Sequence, residues 1–164
     1  MAELTNLESK LGEVLGLAMA AQTATQKVQK LEGLTPDLEE RLVQMHDEAK
    51  ETEKRATEVA GEVDGKKTAI LEKARETKRE ATEMMSTYLG DDADALDGFE
   101  FLTMAEAGEV GHWEILNTLT ERARMSNVQE LCSWAIPIQQ RHFEDVRKGS
   151  LELAAEEYPN APAE

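Results

Sequence analysis

The sequence predicts an all-α fold: an antiparallel four-helix bundle built from two αα-hairpins, with an additional crossover helix between them. Three observations carry this. Apolar residues recur at three- and four-residue spacing along five long stretches, the mark of amphipathic helices. Of the 164 residues 40% are hydrophobic and 32% charged, but only 4% are aromatic, a balance that favours helix over sheet. Only four prolines interrupt the chain. At this length one core suffices, so residues 1–156 read as a single domain and residues 157–164, with two prolines, as a flexible acidic tail.

The first stripe runs through Leu4, Leu7, Leu11, Val14 or Leu15, Ala18, Ala21 or Gln22, Thr25, Val28 and Leu31, predicting a helix over about 3–32. Gly33-Leu34 ends it. Thr35-Pro36-Asp37 restarts the chain with an N-cap residue, a proline at the first helical position and an acidic first turn. The second helix, about 36–60, carries Leu38, Leu42, Met45 or His46, Ala49, Ala56 and Val59. So short a connection implies an antiparallel hairpin. Gly61 and Gly65 mark a break near 61–66.

A third stretch, about 67–89, has a weaker stripe through Ile70, Ala74, Thr77, Ala81, Met84 or Met85, and Tyr88. Glu, Lys and Arg at i, i+4 spacing cover its other faces, so it reads as a crossover lying over the bundle rather than a core member. The aspartates of Gly90-Asp91-Asp92-Ala93-Asp94 lack the alternating spacing of a calcium loop and read as a helix N-cap. The next helix, about 93–124, passes through Leu96, Phe99, Leu102, Glu106, Glu109, His112 or Trp113, and Leu116. Ser126-Asn127 is the expected cap of the last, about 127–155, with Leu131, Ala135, Ile138, His142, Val146 and Leu153 on one face. Pro137 inside it reads either as a kink or as a late helix start. Two hairpins joined by a long connection form the arrangement of ferritin-like bundles.

The bulk charge narrows the function classes. A net charge of −16 argues against a phosphate backbone and against anionic membranes as partners. The single cysteine, Cys132, excludes an intrachain disulfide and suits a reducing cytosol. Val14 to Ala21 resembles a signal peptide in hydropathy, but Glu3, Glu8 and Glu13 make the preceding region acidic where export needs a basic one. No run approaches the roughly twenty apolar residues of a membrane span. The expected location is the cytoplasm. No Gly-rich phosphate loop, nucleophile-and-base signature or zinc-type cysteine spacing is present.

The three histidines stand on three different bundle helices, each followed two residues later by glutamate: His46 and Glu48, His112 and Glu114, His142 and Glu144. Residues i and i+2 of a helix point about 200° apart, so the two members of one such pair cannot face one site. Periodicity turns His46 and His142 inward. On the 93–124 helix either Glu109 and His112 or Gly111 and Glu114 form the inward pair. Glu109-x-x-His112 and His142-x-x-Asp145 have the i, i+3 spacing by which one helix offers two ligands to one ion, and imidazole with carboxylate suits iron, manganese or zinc. The candidate metal ligands are therefore His46, Glu109, His112, Glu114, His142 and Asp145. The alternative is that the histidines are ordinary hydrogen-bonded core or boundary residues and no metal is held.

Several stretches resemble one family: Leu42-Val43-Gln44-Met45-His46, Gly65-Lys66-Lys67-Thr68-Ala69, Tyr88-Leu89-Gly90-Asp91-Asp92 and His112-Trp113-Glu114-Ile115. They are similar to the YciF/YciE-type stress proteins of the ferritin-like superfamily, and Ala107-Gly108-Glu109 is similar to the third helix of rubrerythrin. The resemblance covers nearly the whole chain. It implies a homodimeric helical bundle with a dinuclear metal site and a part in bacterial stress responses. The chain departs from that pattern where a first-helix glutamate falls on Ala20, Ala21 or Gln22, at Gly111, and in Gln139-Gln140-Arg141-His142. The expectation is thus a stress-associated protein with an altered, histidine-containing site for one or two ions. A metal-free dimeric interaction protein and a small di-metal oxidase or peroxidase are the alternatives.

Overall fold

The computed structural model describes residues 2–163. Met1 and Glu164, the outermost positions of the expected domain and tail, lie outside the described residues. Among those residues there are five helices and no strand: α1 (Asn6–Gln29), α2 (Pro36–Glu62), α3 (Lys67–Tyr88), α4 (Ala95–Ala123) and α5 (Ser126–Ala155).

The boundaries follow from local chemistry. Thr5 accepts the Glu8 backbone N–H at 3.2 Å while Glu8 accepts that of Thr5 at 2.8 Å. This reciprocal capping box starts α1 at Asn6, later than the apolar stripe alone implied. Thr35 caps α2 ahead of Pro36, as expected. Gly61 is absorbed into α2, and the chain reverses instead at Gly65, whose φ of +69° suits glycine. Asp94 and Asp97 cap α4 reciprocally at 3.0 Å each.

The expected Ser126-Asn127 cap is not made. Arg124 ends α4 in the left-handed region (φ 54°), and Ser126 is already helical; Asn127 accepts the neighbouring Val128 N–H at 2.9 Å. A reversal this tight leaves no room for a separate capping residue. Pro137 lies well inside α5 on an exposed face, which rules out the late-start reading.

Helices α1, α2, α5 and α4 close a ring. Each packs on its two neighbours, and the backbones of the diagonal pairs α1/α5 and α2/α4 stay apart across the core. Neighbours run antiparallel: the start of α4 meets the end of α1 where Gly98 faces Val28 and Leu31, and the start of α2 meets the end of α5 where Arg41 pairs with Glu152 at 3.6 Å. The crossover α3 lies outside this ring along α1. Its seat is closer than a loose cover, because Gly12 faces Ile70 and Lys73 while Gly16 faces Ala74 and Thr77. Ile70 and Ala74 are fully buried. Residues 156–163 follow α5 as an exposed segment.

The apolar interior is divided. One cluster gathers Leu11, Val14, Ala56, Trp113, Leu116 and Leu131 at one end of the bundle. The other gathers Val28, Leu42, Met45, Phe99, Leu102 and Val146 at the opposite end. On every helix of the ring the switch between clusters falls near mid-length, and polar residues occupy the gap on three of the four.

Candidate functional site

The gap is a buried polar layer. Helix α4 contributes Glu106 and Glu109, one turn apart between Leu102 and Trp113; α5 contributes Gln139 and His142, one turn apart between Ala135 and Val146. All four are at least nine-tenths buried, with Glu106 at 1% exposure and His142 at 2%. Glu48 reaches in from α2. The fourth helix supplies no acid: α1 crosses this level with Ala18 and Ala21, and Gln22 turns aside to donate to Glu53 of α2.

The imidazole of His142 is central. Its Nε2 lies 3.3 Å from Glu48 Oε1, and its Nδ1 lies 3.8 Å from Glu106 Oε2. Gln139 donates to that same Glu106 oxygen, and Arg141 at the rim donates to the second oxygen of Glu48. A carboxylate on Nε2 holds the proton there, which leaves the Nδ1 lone pair facing Glu106.

Burial dominates the electrostatics. It pushes the Glu106 carboxyl up to about 8, against the opposing hydrogen bond from Gln139. Glu109 is held well above the usual carboxylate range by burial first and by the charge of Glu106 second. His142 is moved below the usual imidazole range by burial, while Glu48 pulls it back toward the charged form. The layer therefore favours two protonated acids and a neutral imidazole, because desolvation penalises each charged form. Cys132 sits in the apolar cluster with its thiol pushed up to about 12 by burial, so it is no nucleophile at neutral pH.

Glu109 differs from its neighbours in having no hydrogen-bond or ion-pair partner among the described residues. It lines a groove of about 330 Å³ between α3 and α4, floored by α1. The groove is mostly apolar. Leu17, Ala21 and Ala24 form its floor, and Met84, Tyr88 and Met104 form a rim that is half exposed or more. His112 closes one end, its Nδ1–H donating to the Gly108 carbonyl at 2.8 Å and its Nε2 3.6 Å from Glu13.

Of the sequence-derived ligands, the structure brings Glu109 and His142 into the layer and leaves the others outside it. His112 stands at the groove, half exposed, because Trp113 takes the inward position on α4. Glu114 is exposed, so Glu109 and not Gly111/Glu114 marks the inward face. Met45 takes the core position on α2, and His46 is turned to the flank with its Nδ1 3.4 Å from Asp47. Asp145 is half-buried and acts on His142 only as a nearby charge. Among the described residues, no three His, Cys, Asp or Glu side chains stand as a group arranged to hold one ion.

Sequence reasoning placed Glu106 on the right face without assigning it to the site, and it missed Glu48 and Gln139. The legible signal was the i, i+3 pairs Glu106/Glu109 and Gln139/His142, which break two apolar stripes at one level. No helix among the described residues is long and apolar enough to cross a membrane. No family model, no curated protein and no solved structure matches this chain.

Proposed function

We propose that the chain is a ferritin-like bundle of the YciF/YciE type whose mid-bundle layer is an altered metal site for iron, manganese or zinc. The observation that carries this reading is the buried set Glu106, Glu109, Gln139 and His142. Burying two carboxylates with only a neutral imidazole and an amide beside them costs free energy in desolvation, and a divalent cation offsets that cost. The asymmetry fits the departures in sequence: the α4/α5 hairpin retains acids and an imidazole, whereas α1 crosses the layer with alanines. In this reading the protein acts in the cytoplasm as a stress-associated homodimer.

The donor types suit the ion. Glu106 and His142 would hold it, with Glu109 one turn on as the third donor; Glu48 on the far ring nitrogen would fix the tautomer that presents Nδ1, the usual outer partner of a ligating histidine. The bound ion would supply Lewis acidity and, if iron or manganese, electron transfer. The chain's own part is to exclude water through the apolar clusters above and below, and to release protons. Glu106 and Glu109, protonated when the layer is empty, must give theirs up as a cation enters.

Elemental analysis of protein purified without chelator tests this. Less than about a tenth of an ion per chain, with no thermal shift on adding iron, manganese or zinc, overturns it. If metal binds, Glu106→Gln and His142→Ala should each abolish the shift, and His46→Ala should not.

One observation favours a second reading, a metal-free dimeric interaction protein. The side chains as they stand do not form a three-ligand group, and the Glu48–His142–Glu106–Gln139 chain satisfies itself. In that case protonated Glu106 is simply a buried hydrogen-bond member of the core.

A further inference from the structure

The groove between α3 and α4 has an apolar end and an acidic end. Phe101 and Glu109 lie eight residues apart on α4, about 12 Å along the axis. At the Phe101 end, Tyr88 stacks near Phe101 with ring centroids 6.1 Å apart, and Met84 and Met104 flank them, 59% and 50% exposed. At the other end Glu109 is 5% exposed, turned into the groove and without a hydrogen-bond or ion-pair partner among the described residues. The lining contains Glu80, Glu106 and Glu109 but no lysine or arginine. The contacts explain why the groove exists: α3 packs tightly along α1 through Gly12 and Gly16 but barely meets α4.

From this we propose that the groove binds a small apolar ammonium ion, an alkyl- or arylamine, with its charged head on Glu109 and its tail between Met84, Tyr88, Phe101 and Met104. Charge complementarity decides the class. Apolar walls alone would accept any greasy molecule, but Glu109, protonated in the empty groove, gives its proton up to solvent as an ammonium head arrives, and the ion pair so formed rewards a cation over an anion. The two methionines at the rim adapt to tails of different shape, and the aromatic pair adds flat apolar area. The volume lies at the lower end of the range for ligand pockets, which limits the ligand to a single chain or ring.

The proposal is tested with no metal present: the head group needs Glu109, which an ion would share as its third donor, whereas Glu106 and His142 belong to the metal reading alone. Isothermal titration of the full chain in chelator, with n-octylammonium, n-octanol and octanoate as probes, tests it. Octylammonium should bind at least about tenfold tighter than octanol, and octanoate weakest of the three. Glu109→Gln should bring octylammonium to the level of octanol. Met84→Lys, a change at an exposed rim position that leaves folding intact, should weaken octylammonium most by placing a like charge over its path. His142→Ala should keep octylammonium binding while losing any metal-induced thermal shift.

Equal affinity for the ammonium and the alcohol overturns the proposal, as does unchanged binding in both Glu109→Gln and Met84→Lys. If octylammonium fails to bind and Met84→Lys instead dissociates a dimer, the groove is covered by a second copy and the proposal falls. Each of these failures leaves the metal reading standing, because that reading is judged by Glu106→Gln and His142→Ala.

Discussion

Nε2 of His142 on α5 lies 3.3 Å from Oε1 of Glu48 on α2, across the seam between those helices. Burial lowers the affinity of this ring for a second proton, and the Glu48 carboxylate is the largest influence opposing that. Replacing Glu48 with glutamine should therefore move the His142 pKa further down and mix its tautomers. Nitrogen-detected NMR titration of the imidazole checks this; an unchanged or raised pKa would show that the contact has no electrostatic weight.

Stability should fall as pH rises from about 6.5 to 8. Glu106 has its folded pKa raised from 4.5 to about 8, so the folded state holds a proton that the unfolded state releases. That contribution is full below about 4.5 and is lost as pH climbs through about 8; Glu109 shifts in the same direction. His142, lowered by burial, works oppositely but only below its ordinary value of 6.5. A group changes the unfolding free energy by about 1.4 kcal/mol per pH unit in its window, so Glu106 alone accounts for a loss on the order of 2 kcal/mol over this range. Urea unfolding at the two pH values measures it, and Glu106→Gln should flatten the slope.

Gly16→Ala should loosen the crossover helix. An added Cβ would meet the Ala74 carbonyl and the Thr77 side chain, both fixed by α3's own helix. Overpacking of this kind costs about 1–3 kcal/mol. Thermal unfolding should show a lower midpoint, and hydrogen exchange should rise across residues 67–88 before it rises in α4 or α5.

His46→Ala should change stability by no more than about 0.5 kcal/mol, as expected for a flank position without a buried contact. His142→Ala, by contrast, leaves Glu48 facing a cavity and Glu106 without its imidazole neighbour, so a loss of about 1–3 kcal/mol is expected. Parallel denaturant melts distinguish the two; equal costs would mean that both histidines are inward.

Much of the architecture was legible because it is local. Thr35-Pro36, the Asp94 cap and the glycine-led connections are written in adjacent residues, and the three- and four-residue apolar spacing carries the helices between them. Chain order with short hairpin loops then leaves few ways to pair the helices. The places where expectation and structure part are places of competition between neighbours. On α2, Met45 and His46 differ by one step of about 100°, and either could lie on the stripe. On α4 the same holds for His112 and Trp113. Periodicity cannot choose within such a pair; the larger apolar side chain wins when the neighbouring helix presents an apolar surface, and the imidazole moves to the edge.

By itself, then, the sequence determined an all-helical chain of two hairpins and a connecting helix, and a break in the apolar stripes near mid-bundle. Only the tertiary structure decided what fills that break. Glu48, Glu106, Gln139 and His142 come from three helices and more than ninety residues of sequence, and no spacing rule links them. Their meeting depends on the rotation of each helix about its own axis. That rotation is set by the summed burial of two apolar clusters at either end, not by the polar residues that end up between them.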